Sequence, residues 1–196
     1  RQQQRTTDDS LQKKVDALDH FYLAAKLKNA CEMVNRKNVI EVNYNYWLTQ
    51  ELLNYLKDHI DDYEEHPTIV VYYYILQSLT EPDEHAHYEK LKKVLQHHGK
   101  HFAQQTENER EKEEIRYMYL YVQNYCIHNI NKGNREYLRE LFELYKWLLE
   151  SGIIFDERGE LSQWDYKNIV SAGHRLDEFE WTEKFVYKYK DKLPED

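Results

Sequence analysis

The stretch EHAHYEKLKKVLQHHGKH, from Glu84 to His101, carries His85, His87, His97, His98 and His101, half of the 10 histidines in the chain. Imidazoles at this density raise the question of a metal, because two histidines at i and i+4 on one helix can share a zinc ion. Only His97 and His101 have that spacing, and Gly99, the expected end of their helix, lies between them. His85 and His87 are two residues apart and point to nearly opposite sides of a helix. No HExxH and no cysteine-histidine set accompanies them. The histidines are therefore expected to face solvent, with no metal and no cofactor. A small enzyme or metal-binding protein using the cluster from His85 to His101 is the alternative.

The tyrosines, 18 in number, offer a different chemistry. A tyrosine presents a large rigid ring with one polar tip, which suits the grip of a peptide groove. Tyr22, Tyr73 or its neighbour Tyr74, Tyr117, Tyr121 and Tyr166 are expected to line such a groove. In HPTIVVYYYILQSL, however, Tyr72, Tyr73 and Tyr74 diverge by about 100° per residue on a helix. At least one of them must be core, and Tyr73 is the one assigned to a partner.

Nothing in the chain has the spacing of catalysis. There is no G-x-S-x-G and no glycine loop to cradle phosphate, so no catalytic residue is assigned. Asp61, Asp62, Glu64 and Glu65 read as a solvated helix end. Lys184, Lys188, Lys190 and Lys192 fall in the last turns of a helix, where positive charge complements the dipole.

The elements that position these residues follow from apolar periodicity. From Asp8 to about Arg36 one long helix carries two stripes: Leu11, Val15, Leu18, Tyr22 and Ala25 on one side, and Leu23, Leu27, Ala30, Cys31 and Val34 on another. NVIEVNYN connects it to a helix capped by Asn45, striped by Leu48, Leu52, Tyr55, Leu56, Ile60 and Tyr63, and closed by Pro67. HPTIVVYYYILQSL looks locally like a strand. Its thirteen residues from Thr68 to Thr80 exceed a usual strand, and a lone strand would leave its backbone unpaired, so a central helix is expected.

Pro82 opens the next helix, with Tyr88, Leu91, Leu95 and His98 on its stripe and Gly99 at its end. After a polar linker, Ile115, Met118, Tyr119, Val122, Tyr125 and Cys126 mark a helix ending at Gly133. Asn134 is the expected cap of a helix carrying Leu138, Leu141, Phe142, Tyr145, Leu148 and Leu149, closed by Gly152 with Ile153 behind it. FDERGE is a turn. Ser162 and Asp165 form a capping box for a helix with Tyr166, Ile169, Val170 and Leu176, and a last helix carries Phe179, Trp181, Phe185, Val186 and Tyr189.

Composition agrees with this count of eight helices. Five glycines and three prolines are too few for the turns of a sandwich or barrel. A length of 196 residues suits one cored domain, so residues 1–196 are expected to form a single helical-repeat domain. The start, RQQQRTTDDS, lacks an initiator Met and a hydrophobic signal core. Residues 1–7 are expected to be a disordered leader, and the chain part of a longer protein. A net charge of −9 disfavours nucleic acid, RNA-binding helical repeats included. No apolar run reaches the roughly 18 residues of a membrane span. Cys31 and Cys126 sit among apolar helical positions without a CxxC pairing, as buried thiols of a cytoplasmic protein would.

The hairpins begin near Leu11, Thr68, Asn108 and Ser162, about 45 to 55 residues apart, which is the scale of helical-pair repeats. With Pro194 set on the repeat-closing proline, Tyr166 and Ile169 fall on bulky first-helix positions and Val186 on a large second-helix position. On these residues the chain resembles a degenerate tetratricopeptide-like (TPR-like) repeat protein. Val170 and Tyr189 depart from it where the family has small residues, Gly173 departs where it prefers an aromatic, and the repeats exceed its length of about 34 residues. The resemblance implies an α-α superhelix of about four antiparallel hairpins, acting as a non-enzymatic scaffold. Its concave face would bind a protein or peptide partner, with self-association a further possibility.

Overall fold

The computed structural model describes residues 10–37, 42–105 and 109–194, with side chains at all of these but 100–105 and 110. The expected leader, residues 1–7, and the first part of the connector NVIEVNYN lie outside the described residues. Within them the chain forms eight α-helices: α1 (Ser10–Lys37), α2 (Trp47–His59), α3 (Pro67–Thr80), α4 (His85–Gln105), α5 (Glu109–Asn131), α6 (Glu136–Ser151), α7 (Gln163–Arg175) and α8 (Phe179–Tyr189). Short 3₁₀ turns follow α2 at Ile60–Tyr63 and α8 at Lys190–Lys192. No described residue is in a strand, and the chain is all-α. It groups into two compact units that divide inside α4, between Val94 and Leu95.

The first unit is built around α3. This is the stretch that reads locally as a strand, and it is helical with Pro67 in its first turn. Ile69, Val70, Val71, Tyr72, Tyr73, Ile75, Leu76 and Ser78 are all buried, so the helix is covered on nearly every side. Its chief neighbour is α1, which contributes Leu23, Leu27, Ala30, Cys31 and Val34. The contact is close enough for the Cys31 thiol to reach the Tyr72 carbonyl at 3.5 Å. α1 packs on α3 more extensively than on α2, the helix that follows it in sequence. Inside α3 the buried Ser78 hydroxyl donates to the Tyr74 carbonyl at 2.8 Å and so needs no outside partner.

Both prolines expected to bound helices here act differently. Pro67 begins α3, because α2 already stops at the 3₁₀ turn ending with Tyr63. Pro82 lies in a turn closed by the Glu84 amide donating to the Glu81 carbonyl at 3.0 Å, and α4 starts only at His85. The fixed φ of proline suits the second position of a turn as well as the first turn of a helix.

In the second unit consecutive helices pack in sequence order, α5 on α6, α6 on α7 and α7 on α8. The expected stripes of α5 and α6 are buried throughout. Gly152 ends α6 with φ 73°, and the Ser162 hydroxyl accepts the Asp165 amide at 3.0 Å to cap α7. Asn134 does not cap α6. Its amide side chain donates to Asn129 Oδ1 at 3.1 Å, and its backbone N–H donates to the Asn129 carbonyl at 3.0 Å. Asn129 is 1% exposed, and a buried amide must be paired, so Asn134 is committed to it.

Two glycines hold helices close together. Gly99 does not end α4, which runs on to Gln105. A Cβ at Gly99 would stand 3.3 Å from both Trp147 Cζ2 and Tyr119 Oη. Gly173 in α7 is tighter still, since a Cβ would overlap Thr182 Oγ1 on α8 and lie 3.2 Å from Phe142 Cε2 on α6. Around it Leu138, Phe142 and Ala172 form a cluster with Ile130, Leu176 and Trp181 against its edge. Gly173→Ala is expected to destabilise the protein by about 1–3 kcal/mol through overpacking. Urea denaturation checks this, and adding Thr182→Ala to the same chain is expected to recover part of the loss.

Candidate interaction surface

α1 covers α3 with only one of its two apolar stripes. The other faces water: Leu11 is 71% exposed and Leu18 64%, Val15 and Tyr22 are exposed beside them, and Phe21, at the edge of the stripe, is 72% exposed. Every residue from Ser10 to Asp19 is exposed, so the first turns of the helix are bare all round. A helix face meant for solvent is normally polar, and this one carries apolar groups at i, i+4, i+7 and i+11.

Toward its C-terminal end the stripe runs into a cleft of about 590 Å³, whose walls include Phe21, Tyr22, Ala25, Met33, Tyr44 and Leu48. The connector that forms the far wall is fixed by local bonds. Asn45 Oδ1 accepts the Trp47 amide at 2.9 Å, and the Tyr46 hydroxyl reaches the Met33 carbonyl at 3.4 Å. Asn45 is therefore not the cap of α2, which is Tyr46, but engages the start of the helix from one residue outside it. On the α1 side the Asn29 amide folds back on the Ala25 carbonyl at 2.8 Å, and Arg36 pairs with Glu32 at 2.5 Å.

Two of the five tyrosines assigned to a partner surface are exposed. Tyr22, 40% exposed, lines the α1 cleft. Tyr117, 43% exposed, lines a cleft of about 270 Å³ in the second unit, with Arg116, Leu120, Gln123, Leu148 and Asp165. There the Arg116 guanidinium donates to the Phe155 carbonyl at 2.8 Å, and burial pushes the Asp165 carboxyl up against the opposing hydrogen bond from Ser162. Tyr73 and Tyr121 are core residues, and neither can meet a partner. Tyr73 packs edge-on against Tyr74 at 5.0 Å, and burial pushes its hydroxyl up to about 12. Tyr166 is half-buried against Phe185, 5.2 Å away.

The histidines of α4 are spread out. His85 and His97 are exposed, His87 contacts Glu81 at 2.9 Å, and His98 meets His97 edge-on at 4.7 Å. Because α4 continues through Gly99, His97 and His101 do share one helix, but the His101 side chain lies outside the described residues. Among those residues no group of three or more His, Cys, Asp or Glu side chains is placed to hold a metal ion.

A closer pair of imidazoles forms where the sequence gives little sign of it. His20 of α1 and His66 before α3 lie with ring centroids 3.7 Å apart, and Tyr63 meets His20 edge-on at 5.7 Å. Burial lowers the His66 pKa and the neighbouring His20 lowers it further, while Glu65 opposes them. The one hint in the sequence is that each histidine flanks an apolar helix face.

No protein-family model, curated protein or solved structure matches the chain. No helix among the described residues is long and apolar enough to cross a membrane.

The His66 shift sets a pH dependence. The folded protein resists protonation that the unfolded chain accepts at the ordinary value of 6.5, so this contribution to stability is present above that pH. It is lost as pH falls below 6.5 through the lower folded value. Thermal unfolding between about pH 7.5 and about pH 5.5 is expected to show Tm falling with pH, with a shallower fall in His66→Gln.

Proposed function

We propose that the chain is a protein-interaction module of the TPR-like, superhelical kind, without catalysis of its own, which docks an amphipathic helix of a partner on the outward face of α1. The observation that carries this is the exposed stripe of Leu11, Val15, Leu18 and Tyr22 leading into the cleft beside Tyr44. Apolar groups in a continuous row on a bare helix are the pattern of helix-in-groove and helix-to-helix recognition, read as anchors at i, i+3, i+4 and i+7. The in-order packing of α5 to α8 supports the repeat reading. Cys31 and Cys126 are both buried thiols, which supports a reducing compartment such as the cytoplasm. The net charge of −9 favours a protein partner over nucleic acid.

A photo-cross-linking amino acid placed at Phe21 in the native cell is expected to give a protein adduct, and the same group at the similarly exposed Tyr187 of α8 none. Leu18→Glu is expected to abolish the adduct while changing stability by no more than about 0.5 kcal/mol, as for an exposed site. No adduct at Phe21, or adducts of equal yield at both positions, overturns the reading.

A further inference from the structure

We infer that the helix docking on α1 is α1 of a second copy of this chain, paired with it as a parallel two-stranded coiled coil. This rests on the interaction reading above and names its partner. The outward stripe is Leu11, Val15, Leu18, Tyr22 and Ala25, with steps alternating between four and three residues. That is a heptad seam with a mean period of about 3.5, widened by Phe21 at one g position. The inward face of the same helix, Leu23, Leu27, Ala30, Cys31 and Val34, is the broader pattern and is already used against α3.

The residue types fit two strands. Leu11 and Leu18 occupy d positions and the β-branched Val15 an a position, the a/d choice that favours two strands. Tyr22 at a is followed by the small Ala25 at d, and there the surface opens into the 590 Å³ cleft, which leaves space for the second copy's tyrosine ring.

The flanks select the second copy and its direction. In a parallel pair each g residue faces the e residue of the next heptad on the other helix. Here g is Lys14 and the following e is Asp19, so the twofold axis creates two Lys14–Asp19 contacts between copies. The next such pair sets Phe21 against Lys26, an exposed ring against a long cationic stem. An antiparallel pair faces g with g and e with e, and brings neither couple together. The seam spans only about two heptads, so the dimer is weak and depends on concentration.

Sedimentation velocity from about 1 µM to about 500 µM is expected to show a reversible monomer–dimer equilibrium. Lys14→Glu sets carboxylate against carboxylate at both contacts, and Asp19→Lys sets ammonium against ammonium. Each variant alone is expected to dissociate roughly tenfold more readily, with circular dichroism unchanged. Their equimolar mixture is expected to regain wild-type affinity, because both contacts in the mixed dimer are again of opposite charge. A chain that stays monomeric throughout, variants that dimerise normally, or a mixture that is not restored overturns the inference. An adduct at Phe21 with a different protein, from a chain that is itself monomeric, overturns self-pairing and leaves the docking surface standing. No adduct at all overturns both.

Discussion

The contact between α1 and α3 sets most of what the first unit does. α3 has 14 residues and α1 has 28. At about 1.5 Å per residue the first is roughly half the length of the second, so α3 cannot cover more than part of α1. The covered part is the C-terminal portion, where Leu23, Leu27, Ala30, Cys31 and Val34 are buried. Each large side chain buried there stabilises the fold by about 1.5–3 kcal/mol, and α3, with apolar groups on every side, has no other neighbour that supplies as much. The bare first turns of α1 are thus the geometrical remainder of the contact that builds the unit. An isolated helix of three turns is marginal in water, yet these turns continue a helix already nucleated on α3, and propagation is cheap compared with nucleation.

The second unit solves its packing by close approach. Gly173 brings α7 against Thr182 and Phe142, and Gly99 admits the Trp147 ring beside Tyr119. Much of the aromatic excess disappears into this interior: Tyr125 and Tyr145 are among the largest fully buried side chains. Burial raises the pKa of Tyr119, Tyr137 and Tyr145, which keeps their hydroxyls neutral. A tyrosine-rich composition therefore argues for core before it argues for a binding face. The rings left exposed are the few that a short helix or an open cleft fails to cover, such as Tyr22 and Tyr117.

Helix positions are legible in the sequence because a period of 3.6 residues survives any tertiary context. The apparent strand at Thr68 is resolved by its length and by the lack of a second strand. What each apolar stripe touches is not legible. Periodicity marks both faces of α1 as needing cover, and it does not say that α3 covers only one of them. Gly99 shows the same limit in a single residue: glycine serves a helix end and a helix crossing equally well, and only Trp147, distant in sequence, separates the two. Asn134 reads as a cap because the competing demand, the amide of Asn129, becomes visible only once Asn129 is buried. Tyr73 and Tyr121 fail as surface residues for a related reason. Their sequence neighbours are as aromatic as they are, so no local contrast marks which ring turns inward.

The shape of the exposed stripe limits what can cover it. Its apolar groups form a row along the helix, widened at Phe21 and bordered by Lys14 on one flank and by Asp19 and Lys26 on the other. A flat surface laid on such a row would bury these charges without partners, which costs more than the row returns. A second helix meets the row along its length and leaves the flanking charges at the rim, where they stay hydrated or pair with opposite charge. The same borders keep the bare helix from sticking to apolar surfaces at large, since any approach other than a matched helix must first desolvate a lysine or an aspartate.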